Sequence, residues 1–261
     1  MSMLLGACNL RAVDLPEGTY MRADFRALVG IAALAASPLA AQRDARMALP
    51  EEFATRVERL SAEGFGGRNE GHYTLGDLTG EFTRIESRWA IADPLVAQNR
   101  GKSSFTISGT GFATPVAATC EMRRTSVTLG VITFDPDKMT YHCDLAAGAE
   151  SPLLVLGQPK PDNLRARVLA RADRRGQATF GEVELAIRSV HHYDGSRLQA
   201  PTPVGYLLEI GDRAVGAVEL TDVNPAFYLA AEETADVRSA VIVTALALAV
   251  LRDPASSALE D

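Results

Sequence analysis

Apolar and polar residues alternate with a period of two through most of the chain from Phe82 to Leu229, in short runs broken by Gly, Asp and Pro. That pattern predicts antiparallel strands. Phe82, Arg84, Glu86 and Arg88 alternate with Thr83, Ile85, Ser87 and Trp89; Ser104–Ser108 follows the Gly101–Lys102 turn, and Pro115–Met122 follows Gly109–Gly111. Val127–Phe134 runs into Asp135–Pro136–Asp137–Lys138, which reads as a hairpin turn, and Met139–Leu145 returns. A second set opens with Leu164–Arg171, turns at Asp173–Gly176 and returns with Val183, Leu185 and Ile187 on one face and Glu182, Glu184 and Arg188 on the other. Asp194–Gly195 suits a type I′ turn, Tyr206–Ile210 and Ala214–Leu220 flank Gly211–Asp212, and Phe227–Leu229 ends the series. About ten strands at this spacing predict a barrel or sandwich.

Two stretches break the alternation. Phe53, Val57 and Leu60 recur at i, i+4 and i+7 after Pro50–Glu51–Glu52, which predicts a short amphipathic helix and linker within 42–67, ended by Gly64–Gly67. Asp236–Arg238 opens a run of thirteen uncharged residues, Ser239–Leu251, closed by Arg252–Asp253–Pro254. As a helix it falls short of the roughly 20 apolar residues needed to span a membrane, so no transmembrane anchor is expected from it. A helix apolar on every side must be buried on every side. The expected fold is therefore mainly β (α+β): antiparallel strands forming a barrel or strongly curved sheet around a buried C-terminal helix, 236–252. In the alternative, a sandwich with the helix on one face, a polar stripe through Ser239 and Thr244 would face solvent.

Strands first and an apolar helix last resemble, in element order, the tubby-like family, including the LURP-one-related proteins and phospholipid scramblases. The resemblance implies a barrel enclosing its C-terminal helix and a lipid-related role. No phosphoinositide-binding set or calcium-binding segment of that family can be placed on residues of this chain.

Met21–Arg26 supplies charge, Ala27–Ala36 a ten-residue apolar run, and Ser37–Gln42 a helix breaker followed by small residues, the layout of a secretory signal peptide. On this reading 1–41 is an over-extended start plus a leader, with Met21 the initiating residue and cleavage near Ala41. Residues 68–261 then form a single β domain, and the protein is periplasmic or secreted. The mature chain keeps two cysteines, Cys120 and Cys143, the right number for one disulfide in an oxidising compartment. Closing the loop of about two dozen residues between them is worth roughly 3 kcal/mol in the chain-entropy model.

Composition narrows function mainly by exclusion. With 47% apolar and 23% charged residues the chain is an ordinary globular protein, not a disordered or collagenous one. A formal charge of −7 argues against nucleic acid as a partner. There is no G-x-S-x-G, no phosphate loop, no H-E-x-x-H and no zinc-type cysteine pair, so no catalytic residue, metal ligand or cofactor is assigned. The histidines are His72, His142, His191 and His192; His142 and His191 beside Asp144 or Glu209 would make acid–base chemistry conceivable. The expected role is a non-catalytic binding or envelope-associated structural module whose partner is a small molecule, lipid or envelope component. The rivals are an enzyme with a loop-assembled site and a lipid-binding protein.

Overall fold

Past Arg46 the alternating segments form one sheet that closes on itself. The structure, a computed structural model, describes residues 46–91, 96–129, 132–146, 152–159 and 172–253, with side chains outside 88–97 and 126–138. Among the described residues, twelve antiparallel strands follow in chain order. These are β1 (Val57–Glu63), β2 (Glu70–Leu75), β3 (Leu78–Ile91), β4 (Val96–Ile107), β5 (Val116–Leu129) and β6 (Ile132–Leu145), then β7 (Leu154–Gly157), β8 (Arg175–Phe180), β9 (Val183–Val190), β10 (Gly205–Ile210), β11 (Arg213–Glu219) and β12 (Ala226–Ala230). Each pairs with its neighbours in sequence, and β1 pairs with β12 from Val57↔Ala230 to Ser61↔Ala226, closing the barrel. Closure gives each strand two neighbours, while β3 past Thr83 and β6 before Thr140 extend beyond the strands β2 and β7 they pair with.

Along each strand alternate residues face the interior. On β5 and β6, Ala118, Cys120, Met122, Met139, Tyr141 and Cys143 are buried, while Arg123, Thr140, His142 and Asp144 between them are exposed. The second helix, α2 (Ala235–Ala249), fills that interior. Every residue from Ala240 to Leu251 is at most 8% exposed, which is the buried central helix the sequence calls for. No solvent-facing polar stripe exists, since Thr244 is fully buried, and the sandwich alternative falls away. Thr234 caps the N-terminus by accepting the Val237 N–H at 3.4 Å. No helix of the described residues is long and apolar enough to cross a membrane.

Several expectations change. The helix within 42–67 is a single turn, α1 (Glu51–Ala54), and Val57–Glu63 is strand. Phe53 and Val57 join a cluster on the outside of the wall while Leu60 packs against the inside, so their helical spacing was coincidental. The Asp135–Lys138 segment lies within β6; the strands flanking residues 130–131 make the hairpin instead. Pairing shifts from Thr125↔Asp137 to Val127↔Phe134 leave Asp135 and Pro136 as a bulge, where a residue without an N–H is tolerated. Leu164–Arg171 lies outside the described residues. Arg175 and Gly176 open β8 rather than form a turn, and β8 turns into β9 at Gly181–Glu182, with Gly181 at φ 61°. Asp194–Gly195 does turn, with Gly195 at φ 69°, but it closes a short loop bridged His192↔Gln199.

The cysteines are cross-strand partners, Cys120↔Cys143, on neighbouring strands with none between them. They form a disulfide with Cα atoms 4.0 Å apart, both sulfurs inside the wall. Outside the wall, residues 46–56 lie across β10–β12. Met47 and Phe53 pack on Leu207, Ala217 and Tyr228. The buried Glu219 carboxylate accepts from the Met47 N–H (2.9 Å), the Thr221 hydroxyl (2.7 Å) and the Tyr228 hydroxyl (2.5 Å), which fixes the strap.

Candidate functional site

The last carbonyls of a helix have no partner within it. Where α2 ends, at one mouth of the barrel, wall residues supply partners. Tyr141 on β6 donates its hydroxyl to the Ala247 carbonyl at 2.7 Å, and Arg84 on β3 donates Nη2 to the Ala249 carbonyl at 2.8 Å. A cation here also complements the negative end of the helix dipole. The Arg84 guanidinium stands 4.9 Å from the Phe82 ring centre and 5.0 Å from that of Phe65. Burial, reinforced by Arg252, pushes its pKa down to about 10, so it remains charged at neutral pH. Its buried Nε has no hydrogen-bond partner.

The chain leaving α2 adds further polar groups. Arg252 donates to the Gly67 carbonyl (3.1 Å) and Asn69 Oδ1 (3.0 Å). Asp253 takes a two-pronged ion pair from Arg174, Nε to Oδ2 at 2.9 Å and Nη2 to Oδ1 at 2.8 Å, with both side chains almost inaccessible. Such a fork is the strong geometry for a buried pair. The Tyr206 phenol, raised well above its ordinary pKa by burial and then by Asp253, hydrogen-bonds that carboxylate. A cavity of about 370 Å³ opens here, lined by Arg84, Tyr206, Thr221, Asp222, Arg252 and Asp253 among others.

Beside this mouth lies a serine–histidine pair that the sequence reading did not single out. Ser189 Oγ is 3.0 Å from His191 Nε2, and Ser189 accepts the Arg174 N–H at 2.9 Å. His191 Nδ1 lies 3.2 Å from the Ala200 carbonyl, which can only accept, so Nδ1 carries a proton. Asp173 approaches the same Nε2 as the serine, at 3.4 Å. A catalytic triad needs its carboxylate on the other ring nitrogen and its serine open to substrate. Neither Ser189 nor His191 lines the cavity. The i, i+2 spacing on one strand face was the signal available in the sequence.

The other candidates are dispersed. His142 pairs with Asp144 at 2.9 Å on the exposed face of β6, and β7 and β8 stand between β6 and β9, so His142 and His191 do not meet. Glu209 pairs with Arg188 at 3.0 Å, and His72 with Glu81 at 3.2 Å on the outside. Among the described residues no group of three or more His, Cys, Asp or Glu side chains is arranged to hold a metal ion. Comparison with protein-family models, curated proteins and solved structures finds no match.

Proposed function

We propose that this protein is an exported, non-catalytic binding or envelope-associated structural module, with the barrel as a rigid scaffold and the mouth at the end of α2 as its binding site. The observation that carries the reading is that α2 occupies the barrel interior with residues 240–251 buried, which directs any ligand to a mouth or to the outer wall. The serine–histidine pair is consistent with this role: its hydrogen bonds knit β9 to the Arg174 segment. The buried disulfide favours an oxidising compartment. A lipid-related role, implied by the tubby-like resemblance, would have to use a mouth or the outer surface too.

Intact-mass spectrometry of protein from an osmotic-shock fraction of its own host tests the reading. A chain beginning near Gln42 that gains two alkyl groups only after unfolding and reduction is expected, with no adduct after treatment with a fluorophosphonate. An uncleaved chain with free thiols overturns export. A fluorophosphonate adduct that disappears in Ser189→Ala overturns the non-catalytic reading.

A further inference from the structure

Two arginines line the cavity at the end of α2, and neither has a carboxylate partner among the described residues. Arg84 binds a backbone carbonyl and lies against aromatic rings, and Arg252 binds a carbonyl and an amide oxygen. The role of helix cap explains one Arg84 nitrogen and leaves its buried Nε unpartnered. Like charges on one enclosed wall repel, and an anion between them relieves both. The carboxylates nearby are already engaged: Asp253 is held by Arg174, and Asp222 accepts the Val223 N–H at 2.6 Å. With Asp253 neutralised by Arg174, two guanidinium groups face one carboxylate, and the wall carries one net positive charge. That charge suits a monoanion better than a doubly charged phosphate. Pro203, Leu220, Val223, Pro225 and Leu251 complete the lining with apolar surface.

We infer that this cavity binds the carboxylate of a small organic acid, its head held by Arg84 and Arg252 and its apolar body against the Pro203–Leu251 side. The inference rests on the binding-module reading and gives that module a ligand class. Guanidinium forks match the planar carboxylate, and each charge-assisted hydrogen bond is about twice as strong as a neutral one.

Benzoate is a suitable probe, with benzamide as its neutral isostere and inorganic phosphate as the competing anion, each titrated calorimetrically into the full mature protein. Saturable benzoate binding, weakened about tenfold or more in benzamide and in Arg252→Gln, is expected. Asp222→Asn removes a repelling charge and tightens benzoate binding severalfold, a gain that a misfolded variant cannot mimic. The thermal midpoint of each variant checks that the fold is intact. Equal binding of benzoate and benzamide, no response to either substitution, or no saturable binding overturns the site. Tighter binding of phosphate than of benzoate overturns the carboxylate assignment. None of these failures touches the non-catalytic reading, whose own test is the fluorophosphonate mass.

Discussion

Thr244 sits in the middle of α2 with its hydroxyl buried and without a hydrogen-bond partner. A buried hydroxyl in that state loses its hydration and gains nothing in return, at a cost of about 1–3 kcal/mol. Thr244→Val keeps the shape and removes the polar atom. A rise in stability of about 1 kcal/mol, read as a higher urea midpoint at unchanged slope, is expected. At this scale the sequence was legible where chemistry is local. Cys120 and Cys143 could be paired because, apart from Cys8 near the N-terminus, they are the cysteines of the sequence. Arg84, Arg174 and Asp253 could not, because residues from β3, the β8 approach and the chain after α2 meet only in the closed structure.

The relation of α2 to its wall is set by a missing side chain. A Cβ placed on Gly216 of β11 would lie 2.2 Å from Val241 Cγ1, so the helix rests directly on the strand backbone. Gly216→Ala therefore overpacks a filled interior, and a loss of about 1–3 kcal/mol is expected by thermal or urea unfolding. Wild-type stability in that variant would mean that α2 can shift within the barrel. The helix was readable because thirteen uncharged residues in a β chain permit few burial schemes. The first strand was not. Three apolar residues at helical spacing imitated an amphipathic face, and pairing of Val57–Ser61 with β12, at the far end of the chain, is what makes most of this segment a strand. The Asp135–Pro136–Asp137–Lys138 segment misled in the opposite direction: turn residues in a strand that bulges around its proline.

For the molecule as a whole, the buried phenols set the alkaline limit. Burial raises the pKa of Tyr73, Tyr141, Tyr206 and Tyr228 above the ordinary value. The folded state then keeps protons that the unfolded chain releases, so stability is complete below about pH 10 and falls above it. Arg84, shifted downward, has the opposite sign, and one guanidinium does not outweigh four phenols. Urea midpoints should hold level to about pH 9 and drop above about pH 10, less steeply in Tyr206→Phe. A midpoint that rises there would reverse the assignment. Closure of the barrel, in turn, orders events in time. The seam between β1 and β12 joins the first strand to the last, and the helix that fills the interior comes after both. No growing chain can complete this fold until its final turn of helix has emerged, and contacts of such long sequence separation form slowly. Until α2 has been made, the apolar inner faces of the strands have no central helix to pack against, so the chain stays open for most of its synthesis.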